Sequence, residues 1–98
     1  MSSIKEIILA NKPTLVDFYA TWCGPCKLVH PILDELKKQM GNQVVILKID
    51  VDKNPKVSEQ FKIRSVPTLM LFKDGKTLWR ESDVIPLNNL IVKIQPHI

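Results

Sequence analysis

No stretch of this chain approaches the roughly 20 consecutive apolar residues that a membrane-spanning helix needs. The opening MSSIKEIILANKP has an apolar run only from Ile7 to Ala10, behind Lys5 and Glu6, too short for the apolar centre of a secretory leader. No membrane association and a cytoplasmic location are therefore expected. Charge of one sign is also scarce: 14 basic and 10 acidic residues give +4, and Lys37-Lys38 is the one adjacent basic pair. A nucleic-acid binder concentrates positive charge on one face and adds aromatics on which bases stack. Neither is present, so no nucleic-acid partner is expected. The scarcest functional group is the thiol. Both cysteines, Cys23 and Cys26, lie in one segment, ATWCGPCK, from Ala20 to Lys27.

What is present suits one soluble domain spanning residues 1–98. Hydrophobic residues make up 45% and charged residues 24% of the 98, enough for a core that needs no disulfide framework. No repeat, linker or low-complexity segment interrupts it. Residues 3–10 predict a short helix, with Ile4, Ile7 and Ile8 at helical spacing. TLVDFYA, 14–20, and VVILKID, 44–50, read as buried strands, each with one internal charge, Asp17 and Lys48. Between them KLVHPILDELKKQM predicts a helix with an apolar core stripe at Leu28, Ile32, Leu36 and Met40, widened by Val29 and Leu33, and Pro31 is expected to kink it. Gly41-Asn42 is its stop. Asn54-Pro55 predicts an N-capped helix with Val57 and Phe61 as its anchors. Residues 68–72 and 76–81 form a hairpin about Asp74-Gly75, and Pro86 opens a last helix. The pattern is α/β, with helices covering a central sheet, and the strands at 14–20 and 44–50 should run parallel. Trp79 reads as a sheet residue and His30 as a solvent-facing helix residue.

Three chemistries compete for a close cysteine pair. A structural staple gains stability by closing a long loop of the unfolded chain, and this loop is very short. A structural zinc site wants four ligands, and only His30 and His97 remain as soft donors outside the pair, so no metal is expected. A redox couple fits better. The motif sits between a strand and a helix, which puts Cys23 at a helix N-terminus, where unpaired N–H groups and the positive end of the dipole favour a thiolate. Cys26 is one turn further in. The pair is expected to be asymmetric, an exposed nucleophile and a shielded partner, with Pro25 stiffening the link at no hydrogen-bond cost.

LVDFYATWCGPCK resembles the active-site segment of thioredoxins, and SVPTLMLFKDGK resembles their second signature. The resemblance runs from about Thr14 to the last helix. It implies a thioredoxin-like fold with a mixed four-stranded sheet, helices on both faces, and a dithiol–disulfide oxidoreductase that reduces protein disulfides. Cys23 then corresponds to the attacking thiolate, Cys26 to the resolving thiol, and Pro67 to a cis-proline beside the two sulfurs. Trp22, Gly24, Pro25, Val66 and Pro67 correspond to the surface that holds a substrate peptide. Asp17 corresponds to the buried carboxylate beneath the resolving cysteine, and Lys48 to its neighbour on the adjacent strand. The residues themselves agree on Asp17: a carboxylate in an apolar strand is costly unless paired or protonated, and burial raises its pKa toward the range useful for proton transfer. The plain alternative is that Asp17 and Lys48 are partly exposed strand charges. No cofactor is implied in this chain. Electrons would come from a separate reductase of the thioredoxin-reductase type, and the partners are disulfide-containing proteins met by a monomer.

The chain departs from that family in two places. Only Met1 to Ser3 precede the first helix, too few for the family's first strand, so residues 44–50 are expected at a sheet edge. Asp83 falls where the family has a glycine, in a loop expected to need unusual backbone angles. A carboxylate there, at the rim of the substrate groove, is expected to narrow substrate choice. Two other functions remain open at this point: a non-catalytic binding module of the same fold, and an oxidant or isomerase.

Overall fold

The computed structural model describes residues 4–98. The short stretch Met1–Ser3, and with it the first residue of the expected 3–10 helix, lies outside the described residues. In chain order the elements are α1 (Ile4–Ile8), β1 (Thr14–Tyr19), α2 (Cys26–Met40), β2 (Val45–Asp50), α3 (Pro55–Gln60), β3 (Thr68–Lys73), β4 (Lys76–Glu81) and α4 (Leu87–Ile94). The strands form one sheet in the order β2-β1-β3-β4. β1 and β2 run parallel, and β1–β3 and β3–β4 antiparallel. Among the described residues β2 is therefore an edge, as the sequence led us to expect.

The period-two alternation of the strands sorts side chains to two faces. Leu15 of β1 and Leu69 and Leu71 of β3 pack with Val29, Leu33, Leu36 and Met40 of α2 and with Leu90 and Ile94 of α4. Val16, Phe18, Met70 and Phe72 point the other way, toward Ile8 of α1 and Val57 of α3. Helices thus cover both faces. Asp17 lies two residues beyond Leu15, so it faces α2, and Lys48 sits opposite it in register on β2. This alternation is what carries a carboxylate under the helix that starts at the cysteine motif.

Several local features bear out or correct the sequence reading. Leu28 is exposed, not core. Residues four apart advance about 40° past a full turn each time, so the row Leu28, Ile32, Leu36, Met40 slides across the helix. The buried stripe alternates three and four instead: Cys26, Val29, Leu33, Leu36, Met40. The helix runs unbroken across Pro31 and ends at Gly41, whose φ is +55°. Asn54 occupies the N-cap position of α3, but its side chain does not cap. Its Nδ2 donates to the carbonyl of Asp50 instead, at 3.0 Å. At the hairpin Asp74 and Gly75 both have positive φ, 53° and 78°, the pairing a tight two-residue turn between twisted strands requires.

Candidate active site

The site assembles where the C-terminal end of β1, the start of α2 and the loop before β3 meet. Cys23 and Cys26 are joined in a disulfide with Cα atoms 5.4 Å apart. The segment 21–25 is a turn, and α2 begins only at Cys26, with Pro25 at the cap position. Cys23 thus precedes the helix rather than opening it, a correction to the sequence reading. The helix end still reaches it. The N–H of Cys26, free of any backbone partner at the helix start, donates to Cys23 Sγ at 3.1 Å. Such a bond strengthens when its sulfur acceptor carries negative charge.

Burial also differs from the expectation of an exposed nucleophile. In the disulfide state Cys23 is 4% and Cys26 1% exposed. Both are covered, Cys23 slightly less, because the loop Ser65–Pro67 closes over them. Val66 packs against the two cysteines together with Ala20 and Tyr19. Its carbonyl oxygen lies 3.6 Å from Cys23 Sγ, and the Val66–Pro67 peptide is cis. Around this centre the surface stays open. A Cβ on Gly24 would meet nothing within 4 Å, and Gly24 and Pro25 are exposed. Trp22 is 70% exposed, and its Nε1 donates to Asp52 Oδ2 at 2.9 Å. Asp52 is itself set by Asp50, whose Oδ1 accepts from the Asp52 N–H at 2.9 Å and the Lys53 N–H at 3.3 Å. Between Trp22 and Val66 runs a groove of about 120 Å³, completed by Val51, Ile63, Arg64 and Ser65.

Beneath the helix lies Asp17, 0% exposed, which rules out the partly exposed strand charge for Asp17, whereas Lys48 is exposed. Among the described residues neither of its carboxylate oxygens has a hydrogen-bond partner. Burial pushes its pKa up to about 6, with the positive charge of Lys48 pulling the other way. Lys48 does not pair with it directly; its Nζ lies 3.6 Å from Asp34 Oδ1. The near neighbour is His30, with Nδ1 3.8 Å from Asp17 Oδ2, so His30 is not the plain solvent-facing residue read from the sequence. Its ring also meets Tyr19 edge-on at 5.0 Å.

Asp83 has an ordinary backbone: among the described residues only Lys62 and Asp74 are non-glycine positions with positive φ. The unusual angles expected there are absent, because the chain passes through at negative φ and the Asp83 carboxylate accepts from the next N–H, that of Val84, at 2.7 Å. Asp83 is exposed. Ser82 beside it hydrogen-bonds Thr68 at 2.9 Å, which holds this corner near Pro67. The residues that sequence reasoning missed are Asp52 and the groove residues Ile63, Arg64 and Ser65; spacing carries no signal for them, since they converge from separate loops.

A vicinal dithiol that closes to a disulfide at the end of a helix, under a cis-proline loop and beside an open groove, defines a dithiol–disulfide oxidoreductase. The thioredoxin family model matches residues 2–95, and the chain belongs to the thioredoxin family. It is 42% identical over 94 residues to thioredoxin 1 of Synechococcus elongatus, covering 96% of this chain and 88% of that one. It is 46% identical over 79 residues to the bifunctional thioredoxin reductase/thioredoxin of Mycobacterium leprae, which covers 81% of this chain but 17% of that protein. The crystal structure of oxidized mitochondrial thioredoxin 3 from Saccharomyces cerevisiae superimposes with a TM-score of 0.85 at 33% identity, over 95% of this chain and 86% of that one. The protein is thus a disulfide reductase of the thioredoxin type. Among the described residues no helix is long and apolar enough to cross a membrane.

Proposed function

We propose that this chain works as one domain, residues 1–98, that reduces disulfides of other proteins in the cytoplasm and is re-reduced by a separate thioredoxin-reductase-type donor. The observation that carries the reading is the Cys26 N–H held on Cys23 Sγ, next to the Val66 carbonyl and the open face of Gly24. In the reduced state the Cys23 thiolate attacks one sulfur of a substrate disulfide. A bond to Cys23 forms, the substrate S–S bond breaks, and its electron pair leaves on the other substrate sulfur. Cys26 then gives its proton to Asp17 and attacks Cys23. The mixed disulfide breaks, the second substrate thiolate departs, and the Cys23–Cys26 disulfide remains. Two electrons have moved to the substrate, and the donor protein returns them. No cofactor in this chain takes part.

The remaining residues have supporting roles. Trp22, Gly24, Pro25, Val66 and Pro67 form the surface along which an extended substrate lies. Lys48 limits the upward pull on Asp17, so that Asp17 is mostly ionised near neutral pH and ready to take the Cys26 proton. Asp83 lies at the rim. That the Mycobacterium leprae relative joins thioredoxin to thioredoxin reductase in one chain supports a reductase as partner. The chain is taken to act as a monomer. The test mixes the reduced protein with a disulfide-bonded protein and counts the thiols lost from the first and gained by the second. Stoichiometric transfer is expected, and none from the variant with both cysteines replaced by serine. A serine variant that retained the biological role of the wild type would instead make the chain a binding module.

A further inference from the structure

During resolution the proton that leaves Cys26 passes through Asp17, and Asp17 is 0% exposed with neither oxygen hydrogen-bonded among the described residues. A titratable neighbour that reaches both such a carboxyl group and water gives its proton a short route out. The candidates are the ionisable groups around it. On β1, Tyr19 packs its ring against His30. On β2, Lys48 turns its ammonium to Asp34, 3.6 Å away, and Asp34 is four residues beyond His30 on α2. Cys26 is the proton's source. His30 remains: its Nδ1 is 3.8 Å from Asp17 Oδ2, and its side chain is 31% exposed. Among the described residues it is the one basic group within 4 Å of Asp17.

Helix geometry explains how one residue does both. His30 follows Cys26 by four positions, so the two share a face of α2. Side chains on a helix lean toward its N-terminus, so the imidazole lies back over the turn that carries Cys26, with Asp17 beneath. We propose that His30 is the proton conduit of this site: it passes the proton that Asp17 receives from Cys26 to solvent.

The inference rests on the reading of Asp17 as the proton acceptor. In balanced form, the Asp17 O–H bond breaks as an Nδ1–H bond forms on neutral His30, and the Nε2–H then leaves to water. Water takes the proton and His30 returns to neutral. The 3.8 Å gap exceeds a hydrogen bond, and such contacts tighten in the working complex. Burial and the nearby Lys48 charge lower the His30 pKa, against the opposing pull of Asp34. That shift favours the neutral imidazole, which is the state a relay needs at the start. His30 touches no substrate atom. It acts through Asp17, so its effect belongs to the resolving step and not to the attack by Cys23.

The test measures single-turnover oxidation of the reduced protein by a disulfide-bonded protein, across pH, with the plateau rate at saturating substrate reporting resolution by Cys26. His30→Gln and His30→Ala are compared with the wild type and with Asp17→Asn, each after its thermal midpoint shows a folded protein. Loss of the conduit should slow the plateau roughly tenfold near neutral pH, and added imidazole should restore the rate of His30→Ala but not of Asp17→Asn. Plateau rates and pH profiles like the wild type in both His30 variants, with Asp17→Asn slowed, would overturn the conduit and leave Asp17 as acceptor. Slowed His30 variants that imidazole fails to rescue would make His30 structural and likewise overturn it. An Asp17→Asn variant that resolves at the wild-type rate would remove Asp17 from the mechanism and the conduit with it.

Discussion

The two sides of the Cys23–Cys26 disulfide are built from different materials. The outer side is backbone and apolar surface: the Val66 carbonyl, the bare Cα of Gly24, the Trp22 ring, the groove to Ile63. The inner side is ionisable: Asp17 lies 3.8 Å from His30, and Lys48, opposite Asp17 on β2, lies 3.6 Å from Asp34. Backbone and shape accept many extended peptides, since main-chain groups are common to all of them. Proton transfer needs a group of defined pKa, and here burial supplies it at a cost in stability. In the proposed mechanism one side therefore governs which disulfides are held, and the other governs how fast the second thiol acts.

The comparison is broken most severely by removing one sulfur. Cys26→Ser should keep the attack and lose the resolution, so turnover ceases and a covalent adduct of Cys23 with substrate accumulates, visible by intact mass. An unmodified Cys23 after mixing with substrate would assign the attack elsewhere. Next in size is Asp17→Asn, which should slow resolution near neutral pH by about a hundredfold while leaving attack unchanged. The same substitution has a signature in stability. The folded protein holds the Asp17 proton up to about pH 6, against an ordinary value of 3.8. Folding stability is thus fully favoured below 3.8 and declines as pH rises through 6. Asp17→Asn should be more stable than the wild type by about 1–3 kcal/mol near pH 8 and by little near pH 3. Chemical denaturation at both pH values reads this directly, and a pH-independent difference would contradict the buried, proton-binding carboxylate.

On the outer side the effects are smaller. Asp52→Ala frees the Trp22 indole N–H, a loss of about 1 kcal/mol. KM for a protein disulfide should rise about fivefold with the plateau rate of resolution unchanged; a change in that rate alone would couple the two sides. Smallest is Asp83→Gly. The exposed carboxylate should favour substrates with basic residues beside the disulfide about twofold at low salt, an advantage that fades at high salt. Equal ratios of basic to acidic peptide rates in both proteins at low salt would leave Asp83 as a loop residue only.

Much of this was legible because it is local. The buried run around Asp17, the helix start at Asn54-Pro55, the Asp-Gly turn and the cysteine motif each depend on neighbours a few residues apart, where sterics and hydrogen bonding act. The rest depends on where separate segments meet. The Asp17–His30 contact joins a strand to a helix 13 residues on, yet it follows from two local rules taken together: β1 alternation turns Asp17 to α2, and four-residue spacing puts His30 over the same turn as Cys26. Leu28 was misread because a four-residue step is not a whole number of turns. Asp83 was misread because residue type indicates which backbone angles are tolerated, not which the loop takes. The closure of Val66 over Cys23, which buries the nucleophile, comes from a loop 43 residues away and has no signature near the cysteines.

The central claim is that this pair donates electrons to other disulfides, and equilibrium titration of the Cys23–Cys26 couple against a dithiol buffer of known potential tests it most directly, with alkylation and mass counting the reduced fraction. The account predicts a single two-electron transition at a potential more reducing than that of the glutathione couple. A transition on the oxidising side of glutathione would contradict it and make the chain an oxidant or isomerase of the same fold.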